Sequence, residues 1–85
     1  MQVLIPTSLR SYTGMSRVAA IGVTLGDVLA DLDRQFPGIR FRMVDEQDRL
    51  RPNMRVFVNG EAICDLAKPL QSSDDVSIVQ ALSGG

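Results

Sequence analysis

Apolar and polar residues alternate near both ends of the chain and follow a helical period between them. Val3 and Ile5 share one face of a strand over residues 1–5, which Pro6 stops because it has no amide to give a ladder. Residues 7–15, which contain Tyr12-Thr13-Gly14, read as a loop. Residues 16–21 read as a second strand with Val18 and Ala20 inward, antiparallel to the first across that long connection. The clearest element comes next. Leu25, Val28, Leu29, Leu32 and Phe36 fall on one helical stripe, Thr24 stands in the N-cap position, and Asp27 follows three residues later. Asp27, Asp31 and Asp33 are polar positions near the helix start, where negative charge is favoured. Pro37-Gly38 ends the helix after about three turns.

The second half is read in shorter pieces. Residues 39–43 fit a short strand or a helical turn equally well, and residues 45–48 are a turn. Residues 55–58 form a strand, and Asn59-Gly60 is a strong hairpin signal leading into Ala62-Ile63. Loops at 68–69 and 72–75 precede a last strand over 76–82. Strand, strand, helix and then several short strands predict an α+β fold, a mixed sheet packed on one main helix. With the last strand parallel to the first, this is the ubiquitin-like β-grasp. No repeat or linker interrupts it, so the expectation is one β-grasp domain over 1–82 and a flexible Gly-Gly tail over 83–85.

Composition narrows the chemistry by what it omits. A net charge of −1 gives no reason to expect nucleic acid. No segment approaches the ~20 apolar residues of a membrane span, and no leader is evident, so a cytoplasmic protein with no membrane partner is expected. There is no histidine to shuttle protons near neutral pH. The single Cys64 has no second cysteine for a zinc or dithiol site, and beside Asp65 it is expected to be a small buried hydrophobe. No glycine-rich loop with a lysine supplies a nucleotide site. The chain is therefore expected not to be an enzyme, to hold no metal and to bind no cofactor of its own. Arg40, Arg42, Arg49, Arg51 and Arg55 are interleaved with Asp45, Glu46 and Asp48. Such mixing reads first as a solvated face and second as a protein-docking face.

What remains is the end of the sequence, Ser83-Gly84-Gly85. Glycine accepts whatever φ and ψ a narrow channel imposes and lets its walls approach the backbone. Extended, these three residues reach ~10 Å beyond the last strand. They can deliver the α-carboxylate of Gly85, ionised at neutral pH, to ATP held by a partner. Strand alternation then suggests a grip. With Val56 and Val58 inward, Arg55 and Phe57 point out; with Val76 and Ile78 inward, Val79 and Ala81 point out. Phe57 and Val79 would form an apolar docking patch near the tail.

Ile5-Pro6-Thr7 with Leu9-Arg10, Thr13-Gly14, Thr24-Leu25-Gly26, Asp31-Leu32, Gly38-Ile39, Val56-Phe57-Val58-Asn59, Asp75-Val76 and the final Gly84-Gly85 occur in this order. Over essentially the whole chain this set resembles the ubiquitin-like sulfur carriers of the MoaD/ThiS family, especially the branch serving a cysteine-forming pathway. The resemblance implies a cycle run by partners. An E1-like adenylating enzyme of the MoeB/ThiF type uses Mg-ATP to activate Gly85, and a sulfur donor such as a rhodanese or sulfurtransferase leaves a C-terminal thiocarboxylate. A sulfur-accepting synthase, making cysteine or a thio-containing metabolite, then frees the carboxylate. Alternatives are a protein modifier joined to lysines through Gly85, the small subunit of molybdopterin synthase, and an interaction module with an inert tail.

Overall fold

The computed structural model describes residues 1–81. The expected tail residues Ser83, Gly84 and Gly85, and Leu82 before them, lie outside the described residues. Strand β1 is Gln2–Leu4, and β2 is Arg17–Ala19; they pair antiparallel with Val3 opposite Val18. Val3, Ile5, Val18 and Ala20 are all buried, as the alternation requires.

The connection between these strands is not the loop that its polar residues suggest. A turn of 3-10 helix over Thr7–Leu9 runs into a helical turn, α1, at Arg10–Thr13. Leu9 and Thr13 are buried four residues apart, on one side of a helical repeat, and Tyr12 packs against the core beside them. The Thr13 hydroxyl donates to the Met15 carbonyl at 2.7 Å. Gly14, at φ 69°, ends the turn in the left-handed conformation that glycine adopts without strain.

Helix α2 spans Leu25–Gln35, with Leu25, Val28, Leu29 and Leu32 fully buried and Phe36 partly buried at its end. Three of its early amides have partners. Asp27 donates to the Thr24 hydroxyl at 3.2 Å, while Leu25 and Gly26 donate to the carbonyls of Lys68 and Leu66 at 3.0 and 2.8 Å. The loop over 65–69 is thus a second cap. Helix α3, Ile39–Met43, resolves the ambiguous segment as helical, because Ile39 and Met43 are both buried four residues apart. The Asp33 carboxylate accepts from the amides of Gly38 and Arg40 and fixes the corner between the two helices.

Strand β3, Met54–Val58, is joined to β4, Glu61–Ile63, through Asn59 and Gly60 at φ 52° and 85°, the left-handed pair of a type I′ turn. Strand β5, Asp75–Gln80, begins one residue before the expected start, and Ala81 already lies outside it. The sheet order is β2-β1-β5-β3-β4, with β5 central, parallel to β1 and antiparallel to β3. This is the ubiquitin-like β-grasp. The core lies between one sheet face and α2: Val3, Val18, Val56, Val58, Val76 and Ile78 meet the helical stripe there.

Asp31 does more than place a negative charge near the helix start. It is 8% exposed, and its carboxylate accepts from the Ile21 amide at 3.1 Å, from Gln35 at 2.9 Å and from Arg34. These contacts tie the end of β2 to α2. The Arg34 hydrogen bond, followed by that of the Ile21 amide, holds the Asp31 carboxyl below its ordinary value of 3.8. A depressed folded-state value means that this stabilisation is complete above the unfolded value and is lost as pH falls through the folded one. The acid-side decline in melting temperature below pH ~4 should therefore be shallower in Asp31→Asn, which should also melt lower than wild type at pH 7. Thermal melts of the two proteins from pH 7 to pH 2 check both.

Candidate functional site

The outer sheet face is set by register. Arg55 faces Val79 and Phe57 faces Ser77 across β3 and β5; Ser77 in turn faces Leu4 of β1, and Phe57 faces Ala62 of β4. Arg55, Phe57, Leu4, Ser77 and Val79 therefore share the face opposite the buried Val56, Val76 and Ile78. Phe57 and Val79 are diagonal neighbours on it. Val79 is 40% exposed and Arg55 is exposed, whereas Phe57 and Ala81 are only half-exposed, so the apolar patch is smaller than two fully presented side chains would make.

The patch opens into a groove of about 540 Å³ that alternation alone does not reveal. Leu4, Pro6 and Ser8 line one wall, Val79 and Ala81 the other, and Asn53 closes one end. The wall is stiff for local reasons. Leu9 donates to the Pro6 carbonyl at 2.9 Å, Ile5 donates to Ser16 at 2.7 Å, and the Arg10 Nε donates to the Ile5 carbonyl at 3.1 Å. The Ser8 hydroxyl reaches across to the Gln80 side-chain oxygen. The Ala81 amide donates to the Asn53 carbonyl at 2.7 Å, so the chain is still held to the start of β3 at the last described residue.

Of the residues singled out from the sequence, the fold brings Arg55, Phe57 and Val79 to one face, with Val79 and Ala81 at the end of β5 and Phe57 set back from that end, opposite Ser77. Gly84, Gly85 and Ser83 lie outside the described residues. Leu4 was missed although its outward direction follows from Val3 and Ile5 pointing in. Pro6 and Ser8 have no such signal, because they join the groove only through the parallel pairing of β1 with β5, and Asn53 joins it through the antiparallel pairing of β3 with β5.

Cys64 is exposed, contrary to the buried hydrophobe expected. It follows the short edge strand β4, where no further strand covers it, and borders a cleft shared with Arg55, Ala62 and Ile63. Among the described residues, no group of three His, Cys, Asp or Glu side chains is placed to hold a metal ion, and no helix is long and apolar enough to cross a membrane.

Known proteins share both the sequence and this architecture. A model described as the ThiS family matches residues 3–85. The chain is 37% identical over 89 residues to the sulfur carrier protein CysO of Mycobacterium tuberculosis, covering 98% of this chain and 96% of the relative. A chain in the crystal structure of the Amycolatopsis orientalis BexX/CysO complex superposes with a TM-score of 0.91 at 33% identity, covering 99% of this chain and 98% of that one. The small archaeal modifier protein 3 of Haloferax volcanii is 31% identical over 65 residues, covering 73% of this chain and 70% of the relative.

Proposed function

The chain belongs to the ThiS family, and from that premise we propose that it carries sulfur as a thiocarboxylate on Gly85 for a biosynthetic enzyme. The near full-length identity to a sulfur carrier supports this reading most, and the family match runs through Gly84-Gly85. In the proposed cycle the Gly85 carboxylate attacks the α-phosphorus of Mg-ATP bound by an E1-like adenylating enzyme of the MoeB/ThiF type. Pyrophosphate leaves and an acyl-adenylate forms. The outer sulfur of a persulfide on a rhodanese or other sulfurtransferase attacks the acyl carbon and expels AMP. A thiol then cleaves the S–S bond of the resulting acyl disulfide, forming a disulfide with the transferase cysteine and releasing the thiocarboxylate. The thiocarboxylate sulfur then attacks the substrate of a synthase making cysteine or a thio-containing metabolite, and water cleaves the acyl group from the transferred sulfur to return the carboxylate.

In this cycle the chain is a co-substrate and its partners are the catalysts. Its own contribution is position. Strand β5 and the bond from Ala81 to Asn53 aim the end of the chain, while Val79, Phe57, Arg55 and Ala81 supply the surface beside it. That a matching chain occurs in the BexX/CysO complex supports docking of this fold against a partner. Phe57→Asp, folded by circular dichroism, is expected to raise KM for the carrier in adenylation by about tenfold or more, because it places a charge in the apolar patch. Unchanged KM would remove Phe57 from the interface.

The likeness to an archaeal modifier favours a second reading, in which activated Gly85 is joined to lysines of target proteins. Intact mass separates the two. After co-expression with the activating enzyme and a sulfur source, the carrier reading expects one oxygen exchanged for sulfur at the C-terminus. Conjugates of higher mass on a denaturing gel without that exchange would establish the second reading, and neither product would overturn both.

A further inference from the structure

The arginines of residues 40–55 look balanced in sequence, with three acids interleaved, but the fold sorts them. Arg40 pairs with Asp48 at 2.9 Å. Asp45 is used inside its own turn, accepting from the amides of Gln47 and Arg49 at 2.8 and 3.1 Å. Among the described residues Arg42, Arg51 and Arg55 make no ion pair. Arg42 and Arg51 line a groove with Asn53 and Gln80, and Glu46 is the one acid there. Arg55 stands opposite Val79 on the sheet face. Arg42 and Arg51 thus stand beside Gln80 at the end of β5, close to the point where Ala81 binds Asn53, while the Arg55 guanidinium turns back to Pro52 and Met54 and borders the cleft beside β4.

Two of the three side chains are held in place. The Arg51 Nε donates to the Phe41 carbonyl at 2.8 Å, and the guanidinium lies over the Phe41 ring, 4.7 Å from its centre. That contact accounts for an aromatic ring left 60% exposed. The Arg55 Nη1 donates to the carbonyls of Pro52 and Met54. Side chains anchored through one edge keep their remaining N–H groups for a partner, in the planar fork that suits carboxylates.

Resting on the carrier reading above, we propose that Arg42, Arg51 and Arg55 form a cationic collar at the root of the tail, and that this collar docks a carboxylate-rich surface of the adenylating partner beside the site that receives Gly85. Charge complementarity selects this occupant. The three groups are spread over two grooves and a sheet face, with Glu46 among them, so they match a broad acidic surface rather than one compact phosphate. On a chain of net charge −1, a local positive collar also orients the approach, turning the tail end toward an acidic partner before contact.

The test measures adenylation by an ATP-dependent enzyme active on this chain. The double variant R42E/R51E should raise KM for the carrier on the order of tenfold at low salt with kcat retained. The difference should close in about 1 M salt, where the screening length falls to about 3 Å. R42K/R51K, which keeps the charge and loses the planar fork, should raise KM less than R42E/R51E does. Should loss of the Arg51–Phe41 contact unfold the double variant, R42E alone carries the measurement, since Arg42 is exposed. Unchanged KM at low salt, or a rise that persists in high salt, overturns the collar and leaves the carrier reading standing. Failure of the wild-type chain to be adenylated by any such enzyme overturns both.

Discussion

Removal of Gly85 is expected to abolish thiocarboxylate formation, with the melting temperature unchanged. The residue has no side chain, so the effect must come from the position of one carboxylate. Deleting it moves that group onto Gly84 and shortens the tail by about 3.3–3.6 Å. Attack on phosphorus needs the reacting atoms held about 3–3.5 Å apart, and a misplacement of about 1 Å already costs on the order of a hundredfold. A whole residue of retreat, with the body docked by its sheet face, puts the carboxylate out of reach of ATP. One residue added beyond Gly85 should fail equally, since the reactive group is then carried past the same point. ATP–pyrophosphate exchange and intact mass read both variants. Loading of either at the wild-type rate would show that the tail finds its own position and that the docked body does not aim it.

Gly22→Ala is expected to be the most destabilising single-atom addition in the molecule, by about 2 kcal/mol or more. A Cβ at Gly22 would lie 2.6 Å from the Val28 nitrogen and 2.9 Å from both the carbonyl carbon and the Cβ of Asp27. The nearest of these atoms belong to the backbone of α2, so no side chain can turn aside to make room. The helix must move or the β2–α2 connection must swing out, and either shift pulls Ile21 away from the Asp31 carboxylate. For a domain of this size the melting temperature should fall on the order of 10 °C. Gly60→Ala is the comparison: nothing lies within 4 Å of its added carbon, so only the cost of φ +85° remains. A Gly22→Ala variant melting above Gly60→Ala would refute the close approach.

The elements with strong local signals were legible in the sequence. The stripe from Leu25 to Leu32, the Thr24 cap and the Asn59-Gly60 turn each draw on residues a few positions apart, and each forms as expected. Alternation also placed Val56, Val58, Val76 and Ile78 inward, and so set the direction of Arg55, Phe57 and Val79. Residues 7–13 form helical turns in place of the expected loop because Leu9, Tyr12 and Thr13 recur at helical spacing and pack on the core. Cys64 was misread because burial was judged from residue type, when the deciding fact was its place after an edge strand. Asp31 looked like one more charge near a helix start, and only the return of Ile21 to its carboxylate gives it a structural task. The groove wall at Pro6 and Ser8 depends on pairing between strands some seventy residues apart, which no local period encodes.

That same pairing orders the way the molecule must be assembled. Strand β5 is the centre of the sheet and the last strand among the described residues. Until residues 75–80 are available, β1 and β3 have no common partner, and the hairpins at either side remain separate pieces with open edges. Completion of the sheet is a long-range event that local helix formation cannot anticipate. A chain interrupted during synthesis before β5 therefore lacks the sheet face that a partner would grip, and its premature C-terminus has no folded body to carry it. On the proposed carrier reading, the fold would restrict presentation of the carboxylate to chains made through β5.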